Sequence, residues 1–366
     1  MTDRQPNDER WMRRALALAR RGEGLTRPNP PVGAVVVAGG RKVGEGFHRI
    51  AGGPHAEVIA LLQAGKKARG ATLYVTLEPC STWGRTPPCT DAILAAGIRR
   101  IVVAARDPNP KHAGRGLRLL RQRGVPLDAG VCAAEGRALI APFRMLMLTG
   151  RPFVTLKLGM TLDGRIADRT GASRWITSAA ARSAVQALRR RVDAILVGGA
   201  TIRADNPRLR PRPDAGRCPL RVVVTASGKL PPRCQVLRDA YADCTVVATT
   251  PAGARRLARA KTAAQIWTFP ARGRKIDLRA LLQKLGAGGA LHVLCEGGGR
   301  LAAELLRAQL VDELLMFVAP KFLGGDALPA VGGGWKLAAA PAFELQSVAR
   351  IGPDLLIRAK PRTDDN

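Results

Sequence analysis

The first 150 residues switch between two spacings of apolar positions. In "DERWMRRALALARRG" apolar residues recur every three or four positions, which predicts a helix ending near Gly22. "VGAVVVAGG" is a short apolar run closing on a glycine turn, the pattern of a buried strand. "HAEVIALLQAGKKA" returns to helical spacing, "ATLYVTLEP" to a strand, "CTDAILAAGI" to a helix and "RRIVVAARDPNP" to a strand. This order predicts a mostly parallel sheet covered by helices.

The pattern restarts near "RMLMLTGRPFVTLKLGM". "GRP" at 150–152 interrupts regular structure and reads as a linker, giving domains over 1–149 and 150–366. Beyond it, "FVTLKLGM", "AILVGGAT", "LRVVVTAS", "CTVVATT", "LHVLCEGGG" and "ELLMFVAP" read as strands. "TSAAARSAVQALRRRV", a stretch near 277–285 and "RLAAELLRAQL" read as helices. This is a second α/β domain. Its most informative stretch is "LHVLCEGGGRLAAELL", a strand, then glycines, then a helix start. Residues 206–217, rich in Pro and Arg, read as an exposed loop, and "KPRTDDN" as a frayed tail.

Composition narrows the field. Hydrophobic residues make up 46% and charged residues 24%, as in ordinary globular proteins. No apolar run reaches about 18 residues, so no membrane span is expected. The N-terminus shows no secretory leader, which points to the cytoplasm. There, seven cysteines argue for metal or catalytic roles over disulfides. The net charge of +31 raises the question of nucleic acid. It is dispersed, without a basic tail, and aromatics are only 4%, too few for a groove of stacking side chains. Solvated faces account for most of it, and attraction of a phosphorylated small molecule or a dinucleotide is compatible. No nucleic-acid or membrane partner is expected.

One constellation carries chemistry. The chain has only four histidines, and one of them, His55, opens a predicted helix with Glu57 two residues on. Cys80 follows a predicted strand, and Cys89 lies eight intervening residues later. One nitrogen and two sulfurs make a catalytic zinc set that leaves a fourth position for water. Glu57 can reach that water without binding the metal, the arrangement of zinc nucleobase deaminases. "HAE" or "PC" alone is weak, and the set is strong jointly. A structural zinc, or buried cysteines that bind nothing, are the alternatives. Glu57 speaks against a merely structural site, which needs no acid–base carboxylate. Cys132, Cys218, Cys234, Cys244 and Cys295 have no partner spacing.

"RPNPPVGAVVV", "GGPHAEVIAL", "YVTLEPCSTWGRTPPCTDAI" and "DPNPKHAGRGL" resemble the N-terminal half of the RibD family, the bifunctional deaminase–reductases of riboflavin biosynthesis. "KLGMTLDGRIA", "SRWITS", "ILVGGATIRADNPRL", "EGGGRLAAELL" and "VDELLMFVAPKFLGG" resemble its C-terminal half. The likeness covers almost the whole chain, and it accounts for the spacing of the two cysteines. It implies a cytidine-deaminase-like three-layer α/β/α domain, then a dihydrofolate-reductase-like α/β domain. It implies zinc-dependent deamination of 2,5-diamino-6-(5-phosphoribosylamino)pyrimidin-4(3H)-one. NADPH-dependent reduction of the ribosyl group then gives 5-amino-6-(5-phosphoribitylamino)uracil. The family usually has His where this chain has Thr82.

By the same resemblance, His55, Cys80 and Cys89 hold zinc, and Glu57 moves protons. Asn29, His48 and Arg85 meet the first substrate. An Asx turn, a satisfied core histidine and a solvated arginine are the plainer readings of these three. In the second half, Gly159, Trp175, Thr201, Asp205, Gly298, Gly299, Arg300, Leu301, Ala302, Ala303 and Glu304 are expected to line NADPH. Glycines before a helix can present N–H groups to phosphate. Lys157, Ser173, Arg189, Leu209, Arg212 and Glu296 are expected to hold the second substrate, with Asp205 helping the proton step. His112 and His292 receive no role. Apolar strands in the second half suggest a homodimer or higher homo-oligomer. The competing reading is a zinc deaminase of nucleic acid, which leaves more than half of the chain unexplained.

Overall fold

The computed structural model describes residues 6–213, 218–273 and 275–362. Residues 214–217 of the expected loop and the last four of the expected frayed tail lie outside them. The chain divides into two compact units, Met1–Gly150 and Arg151–Asn366.

In the first unit, helix α1 (Pro6–Ala19) leads to the hairpin of β1 (Gly33–Ala38) and β2 (Arg41–Phe47). Helix α2 (Ala56–Ala64), β3 (Thr72–Leu77), α3 (Cys89–Ala95), β4 (Arg100–Ala105), α4 (Arg115–Gln122) and β5 (Leu127–Ala129) follow. Helices α5 (Ala133–Leu139) and α6 (Ala141–Thr149) close the unit. The sheet order is β2-β1-β3-β4-β5.

This sheet is mixed, not mostly parallel. β1 runs antiparallel to both β2 and β3, whereas β3, β4 and β5 are parallel. The turn is the reason. Gly39 and Gly40 both have positive φ, 54° and 71°, which is the geometry of a two-residue hairpin. β2 escaped the sequence pattern because "RKVGEGF" lacks an apolar face. Successive β1 residues bury opposite faces. Val36 packs with Leu61, Ile93 and Leu117 on one side, and Val35 with Met12, Leu16 and Tyr74 on the other. Helices therefore cover both faces. Each fully buried Leu or Ile contributes about 1.5–3 kcal/mol.

The second unit contains β6 (Phe153–Thr161), β7 (Arg165–Ala167), α7 (Ala179–Arg189), β8 (Ala194–Gly198) and α8 (Gly199–Asp205). Next come β9 (Leu220–Val224), α9 (Gln235–Arg238), β10 (Thr245–Thr249), α10 (Pro251–Leu257) and β11 (Gln265–Thr268). After β12 (Ala271–Arg272) and β13 (Lys275–Ile276) come α11 (Leu278–Ala287), β14 (His292–Cys295) and α12 (Gly299–Arg307). The unit ends with β15 (Glu313–Ala319), β16 (Leu328–Pro329), β17 (Phe343–Ile351) and β18 (Asp354–Pro361). The main sheet has the order β11-β10-β9-β8-β14-β6-β15-β18-β17. β18 pairs antiparallel with β15 and with β17. These last two strands were not expected from sequence. β17 is almost wholly exposed and β18 is buried at few positions, so neither carries the apolar run of a core strand. The run "AILVGGAT" also splits: β8 stops at Gly198 and helix α8 begins at Gly199.

Candidate active sites

Three chain segments converge on one point in the first unit. His55 caps α2, Cys80 follows the end of β3 and Cys89 is the first residue of α3. Their ligand atoms all lie within 4.8 Å of one another. His55 Nδ1 is 3.1 Å from Cys89 Sγ and 3.6 Å from Cys80 Sγ, so Nδ1 is the nitrogen that faces both sulfurs. The Cys89 N–H points at Cys80 Sγ, 3.3 Å away. Side-chain hydrogen bonding from Cys89 pulls the Cys80 thiol down to about 4, and the same contact pushes Cys89 up. One acidic thiol, a second thiol and an imidazole nitrogen within this span fit a zinc ion.

Glu57 stands in the first turn of α2, behind this set. It is buried, and its Oε2 has no hydrogen-bond partner among the described residues. Burial raises its pKa to about 7, against the pull of His55. A buried carboxyl that titrates near neutrality and has a free oxygen beside a metal set is suited to moving protons.

A cavity of about 420 Å³ opens onto these groups. Asn29 and His48 line it together, with Asn29 Nδ2 3.1 Å from His48 Nε2. His48 Nδ1 faces the Pro54 carbonyl at 3.1 Å, so Nδ1 carries the proton and Nε2 accepts from Asn29. Burial lowers the His48 pKa and keeps the ring neutral. Among the described residues no hydrogen bond reaches the amide oxygen of Asn29. Arg85 lies on the exposed rim beside Trp83.

Sequence reasoning missed part of this wall. Asp107, Asn109 and His112, on the loop after β4, also line the cavity, as do Phe143 and Met147 from α6. The buried carboxylate of Glu78 holds that loop. It accepts the N–H groups of Asp107 and Gly114 on one oxygen and those of Gly116 and Leu117 on the other, at 2.9–3.4 Å. A Cβ at Gly116 would stand 2.0 Å from the Pro79 carbonyl, so α4 sits directly against the residue before Cys80. The signal was present in "LEPC" and "DPNPKHAG". A buried Glu followed by a Pro-bounded turn has no periodicity to reveal it.

In the second unit, the end of β14 delivers Glu296 next to Arg189 of α7. Both Glu296 oxygens receive the guanidinium, at 2.5 and 2.8 Å, and Lys157 Nζ lies 3.8 Å away. Burial pushes the Glu296 pKa up, but Arg189 and Lys157 outweigh it, and the carboxyl stays below its usual range. Arg189 thus has its fork on a carboxylate, and Lys157 turns toward Glu296. Ser173 donates to Asp205 at 3.0 Å, and Arg174 donates to the Asp205 carbonyl.

Gly298 has φ 75° and precedes α12, and a Cβ there would stand 3.1 Å from Thr201 Oγ1. Thr201 and the glycine turn therefore share one place. Leu301, Ala302 and Ala303 pack into the core, leaving only their backbone to a ligand. Glu304 pairs with Lys275 and Arg307. Leu209 is also core, with φ 52°. Trp175 is exposed under the Arg182 guanidinium, 4.4 Å from its ring centre. Gly159 lies on β6 and is half-buried. Arg300 opens the exposed side of α12. Arg212 is exposed, and its N–H donates to Gln186. His292 is structural, 2.8 Å from Thr155 Oγ1.

Residues 5–105 match the cytidine and deoxycytidylate deaminase zinc-binding region, and residues 152–357 match the RibD C-terminal domain. Riboflavin biosynthesis protein RibD of Escherichia coli (strain K12) is 44% identical over 96% of this chain and 98% of its own length. The chain belongs to the RibD family. The RibD of Aquifex aeolicus (strain VF5) is 40% identical over 96% of the chain and 97% of its own. The solved RibD of Acinetobacter baumannii superposes with a TM-score of 0.86 at 37% identity, covering 98% of this chain and 99% of its own. The Thermotoga maritima structure, a diaminohydroxyphosphoribosylaminopyrimidine deaminase/5-amino-6-(5-phosphoribosylamino)uracil reductase, superposes at 0.85 with 36% identity, covering 97% and 99%. The fold is that of RibD: a cytidine-deaminase-like domain, then a reductase domain. No helix among the described residues is long and apolar enough to cross a membrane.

Proposed function

We propose that this chain performs two consecutive steps of riboflavin biosynthesis. It hydrolyses the 2-amino group of 2,5-diamino-6-(5-phosphoribosylamino)pyrimidin-4(3H)-one. It then reduces the ribosyl group with NADPH to give 5-amino-6-(5-phosphoribitylamino)uracil. The observation that carries this reading is the His55–Cys80–Cys89 set with the partnerless Glu57 oxygen beside it, on the same chain as a reductase domain.

His55 Nδ1 and the sulfurs of Cys80 and Cys89 would hold zinc, which supplies a Lewis acid that makes water a nucleophile near neutral pH. Glu57 takes up the proton lost in the attack and returns one to the departing amino group. Burial raises its pKa, which favours its carrying a proton between the two steps. Asn29, fixed by His48, offers its amide oxygen to an N–H on the pyrimidine edge. In the second unit a nicotinamide cofactor supplies hydride. Thr201 and the turn at Gly298 are its proposed cradle, and Glu296, oriented by Arg189 and Lys157, faces the substrate.

A cavity of about 560 Å³ supports NADPH over NADH. Arg203, Lys229, Arg256 and Arg259 line it, and no carboxylate does among the described residues. It borders the loop after β9 and helix α10 after β10, and Arg203 brings to it helix α8, which also carries Thr201. Such a pocket suits a phosphate at the far end of a dinucleotide. We also take the protein to be a homo-oligomer, since Leu345 and Val348 are exposed on β17.

The test is mass spectrometry of the diaminopyrimidine phosphate after incubation with zinc-loaded protein, with and without NADPH. Deamination without NADPH, followed by reduction once it is added, is the expected result. Absence of both conversions would overturn the reading.

A further inference from the structure

One imidazole in the deaminase cavity has no task in the reaction as derived. His112, half-buried on the loop between β4 and α4, lines the same cavity as His55, Glu57 and Cys80. Its Nδ1 stands 3.4 Å from Thr82 Oγ1. Its Nε2 has no protein partner among the described residues, and it makes no hydrogen bond to Glu57 or to the three metal-set residues.

The loop that carries it is braced from within. Asp107 Oδ1 accepts the Asn109 N–H, Asn109 Oδ1 accepts the Lys111 N–H, and the Asn109 carbonyl accepts the N–H of His112 itself, at 2.8, 3.1 and 2.9 Å. Glu78 braces it from outside on both sides of His112, through Asp107 and Gly114. A side chain mounted this way loses little further freedom on meeting a ligand. An imidazole with one ring nitrogen engaged keeps the other for hydrogen bonding.

We propose that His112 is a substrate-recognition residue of the deamination site, its Nε2 hydrogen-bonding a polar group of the pyrimidine substrate away from the attacked carbon. The reacting end is already occupied by Glu57 and the metal set. The inference rests on the function proposed above. A contact made equally in the bound and transition states sets KM and leaves kcat alone.

The experiment is steady-state deamination of the diaminopyrimidine phosphate by wild type, His112→Ala and His112→Asn. It is read with zinc content, melting temperature and reduction of supplied deaminated intermediate. His112→Ala should raise the deaminase KM about fivefold to tenfold with kcat nearly unchanged, the worth of one neutral hydrogen bond. His112→Asn, which keeps a donor and an acceptor, should raise it less. Zinc, melting temperature and reduction should not move. An unchanged KM in His112→Ala would overturn the proposal. So would a joint fall of turnover, zinc and melting temperature, which would make His112 part of the scaffold. A wild type that reduces the intermediate but does not deaminate would instead overturn the deaminase half of the functional reading, and this inference with it.

Discussion

Arg189 and Glu296 face each other as a planar fork on a carboxylate, with both groups almost out of solvent. Removing one partner of such a pair leaves a buried, uncompensated charge. Arg189→Met should therefore destabilise the second unit by about 3 kcal/mol and abolish reduction. Thermal unfolding and NADPH oxidation would show this, while deamination of the first substrate should survive below the melting range.

Glu57→Gln should bind zinc and fold but lose deamination by at least about 100-fold, the usual scale for a missing acid–base group. In metal-stripped protein the sign of its effect on stability follows from its pKa. Burial raises the folded value to about 7 from 4.5, so between those values the folded state binds the extra proton. Stability from this group is full below about 4.5 and is lost as pH rises through 7. Glu57→Gln should thus match wild type at low pH and exceed it at pH 8 in denaturant melts.

Glu78→Ala would strip four backbone N–H groups of their acceptor. Hydrogen bonds to a charged group carry about 1.5–3 kcal/mol each, and water will replace some of them. A loss of at least about 3 kcal/mol in the first unit is expected, with a higher deaminase KM. Chemical denaturation and kinetics on the same variant would check both.

At Gly299 a Cβ would stand 2.5 Å from the Pro329 carbonyl, closer than side chains tolerate. Gly299→Ala should shift the start of α12, cost about 1–3 kcal/mol as overpacking does, and weaken NADPH binding. A fluorescence titration with NADPH is the measurement. Deamination without NADPH should be unaffected.

Much of this was legible in the chain. Helices and core strands announce themselves by period, and His55, Glu57, Cys80 and Cys89 by residue type. What stayed hidden obeys other rules. β2 and β17 are strands because neighbours pair with them, not because of their own apolar pattern. Glu78 and the loop at 107–114 meet through backbone groups, which carry no letter in a sequence. The engagement of Arg189 with Glu296 joins residues far apart in the chain. Resemblance placed Arg189 and Glu296 separately among the residues expected to hold the second substrate, and only proximity shows one in the fork of the other.

The brace at Glu78 has a consequence for how this cavity can change. One carboxylate joins the segment leading to Cys80 and the loop carrying His112, and Thr82 meets His112 across the gap. Positions 82 and 112 are therefore coupled, since a change at either alters the surroundings of the other. Their substitutions will be epistatic, and a library that randomises either position alone would sample the wrong half of the landscape for altering which pyrimidines enter.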